Sequence, residues 1–540
     1  MQTSAQQSGS SRLPGTFAAL LVVFGLTGIS DAAEIQSLNL RLRSRTETAA
    51  DSGRFHTITR SESWQASQTA IIVCDMWDYH HCLNAVRRGT EMAPRMNEVL
   101  KAARERGAVI IHAPSGCTGN YADHPARKRA QAVARVDNLP LEIAKWCYRI
   151  PEEERGKYPI DQTDGGEDDD PAEHAEWAQK LASLGRNPKA PWKAQMDALE
   201  IDDQRDFISD DGEEIWSILE RKDCKNVILL GVHTNMCVLG RPFGLRQMAK
   251  NGKNVVLMRD MTDTMYNPEM SPFVSHFTGT DLIVEHIEKW VCPTITSDQL
   301  LGGKPFRFKN DTRPHVAIVI AEQEYRTNES LPTFALEHLG KEFRVSFVFA
   351  NETERNDLPG IDVLDDTDVL LLSVRRRVLP PAQMAIVRKY LESGKPIVGI
   401  RTANHAFLLR NQAPPDGFEA WSNWDAEIFG GSYTNHYGTG PEVGITTADG
   451  SSAHPILNGV DAASIKGRGS LYIVNPLADS ATPLLIGAIP EKAPETIAWT
   501  HRTKFGGKSF YTSLGHVDDF AQPEFQKLLA NAIRWAAEKD

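Results

Sequence analysis

The sequence has few cysteines and none after Cys292: the seven stand at positions 74, 82, 117, 147, 224, 237 and 292. The second half therefore owes nothing to disulfides, and no spacing matches the paired CxxC pattern of a zinc site. An odd number leaves at least one thiol free. Basic excess is also missing. Lys and Arg number 59 against 71 Asp and Glu, for a net charge of -12, which argues against nucleic acid or an anionic membrane as the main partner. No internal repeat is apparent. No apolar run reaches the ~20 residues that span a bilayer. The longest candidate, residues 17–29 (FAALLVVFGLTGI), follows Arg12 and precedes Ser30-Asp31-Ala32. That order reads as an export signal cleaved after Ala32, placing the mature protein in the periplasm or outside the cell. An uncleaved anchor is the alternative, and the only route to membrane contact.

What is present is ordinary for a water-facing α/β protein: 540 residues, 41% hydrophobic and 24% charged. The length exceeds one core and implies two domains. Residues 33–65 are polar and weakly patterned and read as a lead-in. From Thr69 a strand (TAIIVCD), a helix over 93–106 and a strand (AVIIHA) announce parallel βαβ units. A polar insertion over about 117–195 interrupts them. Its acidic run at 164–170 (DGGEDDD) lacks EF-hand spacing and is expected to be a solvated loop. The pattern resumes with strand NVILLGV (226–232), the turn HTNMC, a helix over 238–250 and strand NVVLMRD (254–260). A Gly/Lys/Pro/Asn-rich stretch at 298–313 reads as the linker between a first domain, 66–297, and a second, 314–540. The second repeats the alternation with strands HVAIVIA, FRVSFVFA, DVLLLSV and KPIVGIR, helix 381–392, strand KSFYTSLGH and helix PEFQKLLANAIRWAAE. Both domains are expected to be doubly wound, mostly parallel sheets.

Cys237 stands where a strand passes into a predicted helix, in GVHTNMCV (231–238). Unpaired N–H groups and the dipole at a helix start favour an anion, so this location is expected to lower the thiol pKa and to hold an oxyanion. It is also the carboxyl edge of an open sheet, where ligands bind. Asp75, closing the first strand in CDMWD (74–78), reaches the same edge and can serve as base for the thiol or hold a partner lysine. A buried structural thiol is the plain alternative.

An Asp closing the first strand, the G-V-x-T-N-x-C-V turn, and a later strand ending in Asp260 together resemble the isochorismatase-like cysteine hydrolases over residues 69–295. The resemblance implies Cys237 as nucleophile, Asp75 as base, and a cis peptide at His233–Thr234 or its neighbour Val232–His233. Trp77, His112, His233 and Thr234 become candidates for the substrate pocket. The family's lysine normally follows a short strand upstream of the cysteine. Here that strand is expected at ALEI (198–201), and Asp202-Asp203-Gln204 follow it. Lys193 is the nearest substitute. Metal-binding members pair an Asp with closely spaced histidines, whereas this chain offers His80-His81, His112 and His124, so no metal and no other cofactor is expected.

Residues 314–538 resemble ThuA-like (trehalose-utilisation) domains, related to class I glutamine amidotransferases, through GKPIVGIR (394–401), HPILNG (454–459), YTSLGH (511–516) and NAIRW (531–535). Where amidotransferases carry their cysteine, this chain reads Arg401-Thr402-Ala403-Asn404-His405. The cysteine route to glutaminase chemistry is thereby excluded. His405 and His516, with Trp421, Trp424 and Tyr433 nearby in sequence, are candidates for binding a carbohydrate.

The reading that follows is an exported cysteine hydrolase of an amide or related C–N bond in a small polar substrate, with a second domain that binds a sugar or a partner. The alternative is a non-catalytic carbohydrate- or partner-binding protein on two degenerate enzyme folds, which the missing lysine and missing amidotransferase cysteine favour. Oligomeric state is left open.

Overall fold

The computed structural model describes residues 36–438 and 440–539. The expected export signal at 1–32 lies outside them. Among the described residues the first sheet has eight strands: β1 (Ser37–Glu47), β2 (Phe55–Gln65), β3 (Thr69–Cys74), β4 (Val109–Ala113), β5 (Phe207–Ile208), β6 (Asn226–Val232), β7 (Asn254–Asp263) and β8 (Thr294–Ile295). Their order is β2-β1-β8-β7-β6-β3-β4-β5. The run from β8 to β5 is parallel and the β1–β2 hairpin is antiparallel to its neighbours. The central strands β3 and β6 are apolar on both faces, as burial between two helical layers requires.

The second sheet has nine: β9 (His315–Ala321), β10 (Arg344–Phe349), β11 (Val369–Val374), β12 (Ile397–Ile400), β14 (Val443–Thr447), β15 (Lys466–Gly467), β17 (Thr482–Ala488), β18 (Glu495–Arg502) and β19 (Lys508–Thr512). The remaining strands, β13 (Asn435–His436) and β16 (Tyr472–Ile473), pair with each other. The order β10-β9-β11-β12-β19-β18-β17-β14-β15 is parallel as far as β19 and antiparallel beyond it. Both halves are thus mixed α/β sheets, mostly parallel, with helices on their faces.

The segment 33–65 differs from its expected role as a lead-in. Residues 37–65 form the hairpin that extends the first sheet, with Leu38, Leu40, Leu42 and Trp64 buried. The alternation Leu-x-Leu-x-Leu is a period-two strand signal, and each buried leucine contributes roughly 1.5–3 kcal/mol. The hairpin also meets the second half, where Arg54 pairs with Glu352 at 2.9 Å.

The acidic run is not a solvated loop either. Asp169 accepts hydrogen bonds from the Leu83 and Asn84 N–H groups, both at 2.7 Å, at the start of the helix Leu83–Glu105. Its carboxylate complements the positive end of that helix. Asp168 is held by Arg88 at 2.7 Å and His276 at 3.2 Å. Sequence patterning alone cannot separate such long-range capping from a charged surface.

Candidate active site on the first sheet

The carboxyl ends of β3 and β6 lie side by side and bring Asp75 and Cys237 together. Gly231, near the end of β6, makes this possible: its φ is +110°, and a Cβ there would lie 2.0 Å from the Cys74 carbonyl oxygen. Asp75 follows β3 in the left-handed region, at φ 47°, a conformation costly for a non-glycine residue. It is fully buried. Its Oδ1 accepts the Ser115 N–H at 2.7 Å, and its Oδ2 accepts Nε of Arg241 at 3.0 Å. The carboxyl group also lies close enough to the Cys237 thiol that each shifts the other's pKa.

Arg241 is not indicated by the family pattern, which has a lysine upstream of the cysteine. It sits four residues after Cys237, its N–H bonded to the Cys237 carbonyl at 3.0 Å, so both side chains occupy one face of the turn. The guanidinium hydrogen-bonds Asp75, acts on the Cys237 thiol by its charge, and lies over the Trp146 ring, 5.3 Å from its centroid. The i, i+4 spacing was the available signal. Lys193 takes no part; its side chain reaches the Gly185 carbonyl at 3.4 Å, on an exposed surface. Residues 198–201 are not a strand. The edge strand is β5, followed by Ser209-Asp210-Asp211, again without lysine.

The expected helix over 238–250 is interrupted. A wide turn, Thr234–Val238, closes with the Val238 N–H on the His233 carbonyl at 3.2 Å, and the regular helix begins only at Leu245. Pro242 has no N–H, and its ring would clash with the carbonyl four residues back. The long dipole expected to activate the thiol is therefore absent. Burial pushes the Cys237 thiol up, the Asp75 charge pushes it further, and Arg241 opposes both. The thiol thus holds its proton at neutral pH. Burial also raises Asp75, against the pull of Arg241, Ser115 and the thiol. A carboxylate of raised basicity sits within hydrogen-bonding reach of a protonated thiol, the arrangement of a general base and its nucleophile.

The other candidates separate. The peptide Val232–His233 is cis. His233 stacks edge-on against His80, 4.7 Å between centroids, and burial lowers it to about 4, leaving it neutral. Thr234 is turned inward, its hydroxyl 2.7 Å from that of Thr262. Trp77 donates its Nε1 to the Ser115 carbonyl at 3.1 Å and stacks on Trp192 at 4.6 Å. His112 is fully buried, with Gln195 at 2.9 Å on Nδ1 and Asp206 at 3.1 Å on Nε2, and so has no ring nitrogen for a ligand. Asp260 lies within β7 rather than at its end and ties down Ser297 and Phe306. Beside the turn opens a cavity of about 510 Å³ lined by Trp146, Tyr148, Glu153, Tyr158, Asn235 and Met236, among others. Its walls come from the 117–195 insertion, from the two residues preceding Cys237, and from Arg246 and His286.

Cys82, Asp168 and Asp169 present potential metal-ligand atoms within 4.8 Å of one another. The thiol lies 3.4 Å from one oxygen of each carboxylate, and the same carboxylates accept Arg88 and the Leu83 and Asn84 N–H groups. All seven cysteines are free and buried.

In the second half, Arg401 rather than a thiol occupies the turn after β12, with φ 46°. It donates to the Ser513 carbonyl at 2.6 Å and the Ser470 carbonyl at 3.1 Å, and lies over the rings of Tyr472 and Tyr325 at 4.2 and 4.8 Å. Tyr325 in turn meets His516 at 5.8 Å. His405 lies 4.7 Å from the Tyr433 ring. The two histidines therefore reach one edge, linked through Tyr325, Arg401 and Tyr472. Trp421 and Trp424 are buried in the core beneath it, and Trp424 donates to the Ala403 carbonyl at 2.8 Å.

Fold and site together define a two-part α/β chain with a cysteine–aspartate pair on the carboxyl edge of its first sheet. Residues 315–536 match the family described as ThuA, trehalose utilisation. No curated protein sequence matches the chain. Among solved structures, a ThuA-like protein from Parabacteroides merdae is similar at 16% identity, covering 42% of this chain and 90% of that one, with a TM-score of 0.32. A cysteine hydrolase from Pseudomonas syringae pv. phaseolicola is similar at 16% identity, covering 44% and 92%, with a TM-score of 0.27. An isochorismatase family protein from Burkholderia thailandensis is similar at 14% identity, covering 43% and 93%, with a TM-score of 0.24.

Proposed function

We propose that the first half is an isochorismatase-like cysteine hydrolase of an amide or related C–N bond in a small polar substrate, exported by way of its first 32 residues, and that the ThuA-like half binds a sugar-like ligand. The observation that carries the hydrolase reading is the meeting of the buried Asp75 and Cys237 with the partly exposed Arg241 in one cluster. Arg241 supplies the cation that a lysine supplies in the family. In this reading the thiol proton passes to Asp75 as Sγ bonds to the substrate carbonyl carbon. The proton then leaves on the amine as the C–N bond breaks, giving a thioester. Water adds to the thioester, yielding its proton to Asp75, and thiol and acid are released with that proton returned to sulfur. Arg241 opposes the upward push that burial gives the Asp75 carboxyl.

The test is release of ammonia or amine from a panel of small primary amides and N-carbamoyl compounds, with capture of the acyl-enzyme by mass spectrometry on Cys237. Cys237→Ala should abolish both signals. Arg241→Lys should retain part of the activity and Arg241→Leu should lose it, since removal of the paired cation raises a buried carboxyl by roughly 1–3 pKa units. A protein in which Cys237→Ala leaves the wild-type rate unchanged is not a cysteine hydrolase. Absence of turnover and of acyl-enzyme in the wild type across the whole panel leaves the non-catalytic alternative standing.

A further inference from the structure

We propose that the carboxyl edge of the second sheet holds an anionic small molecule, a carboxylate- or phosphate-bearing sugar, whose charged group is bound by Arg376, Arg401 and Arg410 beside His405. This deepens the sugar-binding reading of the ThuA-like half and is independent of the chemistry at Cys237.

Five arginines crowd this edge. Arg375, Arg376 and Arg377 follow β11, Arg401 follows β12, and Arg410 lies beyond the short turn Arg401–His405. The N–H groups of Arg376 and Arg377 bond to the carbonyls of His405 and Ala406, at 3.2 and 2.7 Å, which brings the two strand ends together. Among the described residues only Arg375 of the five meets a carboxylate, Glu324 at 2.8 Å. The other acids at this edge are already engaged. Glu322 accepts the N–H groups of Glu324, Tyr325 and Thr327, and Asp519 accepts those of Arg468, Gly515 and His516. A buried guanidinium without a counter-charge is costly, and proteins normally pair it. Arg401 is only 3% exposed, and its hydrogen bonds run to neutral oxygens.

Three further observations point to a ligand. Arg401 Nε, Thr402 Oγ1 and His405 Nδ1 are buried without a hydrogen-bond partner, and such orphaned groups call for an explanation. Arg376 and Arg401 both stand in the left-handed region, φ 47° and 46°, at adjacent strand ends of the edge where open α/β sheets bind ligands. Aromatic faces flank the charge: Tyr433 and Tyr472 lie 4.4 Å apart, His436 stacks on Tyr433, and Arg410 sits over the Tyr433 ring at 5.9 Å. Such faces suit the apolar side of a pyranose. Burial and then the charges of Arg376, Arg375, Arg401 and Arg410 bring His405 down to about 2, so it stays neutral and can exchange a hydrogen bond with a hydroxyl.

The experiment is isothermal titration of the full chain with glucuronate, glucose 6-phosphate and trehalose, repeated on Arg410→Gln and Arg376→Gln. These two side chains are partly or fully exposed, so the variants should fold, and circular dichroism with the urea midpoint checks that they do. At least one acidic sugar should bind, trehalose should bind about tenfold or more weakly, and each variant should weaken the acidic sugar by about tenfold. Glucuronate binding without glucose 6-phosphate binding assigns a carboxylate, and the reverse assigns a phosphate. Equal binding of trehalose, unchanged affinity in both folded variants, or no binding of either acidic sugar overturns the proposal. A failure here with retained trehalose binding leaves sugar recognition standing, whereas loss of all three removes both.

Discussion

Glu153 is the clamp that fastens the insertion over the cavity beside Cys237, and its removal should loosen that wall measurably. The carboxylate is 2% exposed and receives Arg246 through two bonds of 2.8 Å and His286 Nε2 at 2.8 Å. It therefore ties residues 151–155 to two helices, Leu245–Lys250 and His276–Trp290. Burial would push the carboxyl up, but the hydrogen bonds and charges of His286 and Arg246 outweigh it and bring the group down to about 2, from an ordinary value of 4.5. A depressed carboxyl contributes stability that is present above its unfolded pKa and lost as pH falls toward the folded one. The difference corresponds to about 3 kcal/mol at neutral pH. Glu153→Gln should lose that amount at pH 7, because Gln leaves the buried Arg246 without its counter-charge. The gap between wild type and variant should then shrink by about 1 kcal/mol at pH 4 and about 2 kcal/mol at pH 3, since only the wild-type side chain titrates. Urea unfolding read by pulse proteolysis on the full chain measures both. A gap below about 1 kcal/mol at pH 7, or one that stays constant down to pH 3, refutes the reasoning.

Three other outcomes are expected. Asp206→Asn should destabilise the first domain by about 3–5 kcal/mol at neutral pH, because Arg104 and His112 lose their buried partner. Burial opposes ionisation of Asp206, yet His112 and Arg104 bring it down to about 2, so this penalty too should fade as pH drops below 4; urea midpoints at pH 7 and 3 check it. Gly231→Ala places a Cβ against the Cys74 carbonyl at a positive φ and should either prevent folding or push β3 and β6 apart, with loss of any turnover that the wild type shows; soluble yield and circular dichroism report the first outcome, the amide panel the second. Leu40→Ala should cost about 2–5 kcal/mol by thermal unfolding, a value an unstructured lead-in could not produce.

The sequence carried the central parallel strands of both halves closely, because short apolar runs bounded by turn residues allow few other structures, whereas the antiparallel strands β14, β17 and β18 escaped it. β6 and β9 coincide with the runs NVILLGV and HVAIVIA, and the helix Pro381–Glu392 begins where its proline suits the first turn. The hairpin of residues 37–65 was equally legible in its alternating leucines but was obscured by the polar residues between them. What could not be read was anything depending on distance in the chain. The capping of residues 83 and 84 by Asp169 and the burial of His112 against Asp206 and Gln195 join segments more than 80 positions apart.

By itself the sequence determined two α/β halves, the cysteine turn with Asp75 at the same sheet edge, and the absence of a thiol from the second half. Only the tertiary structure decided the charge at each edge. Arg241 stands beside Asp75 because Pro242 ends the turn there and Gly231 lets β6 approach β3, so a cation arrives from downstream of the cysteine rather than upstream. Arg401 brings its charge to the second edge because the turn after β12 meets the end of β11, gathering arginines that are up to 35 positions apart. Residue types are written in the chain; their electrostatic company is set by packing, which buries some charges with partners and leaves others without.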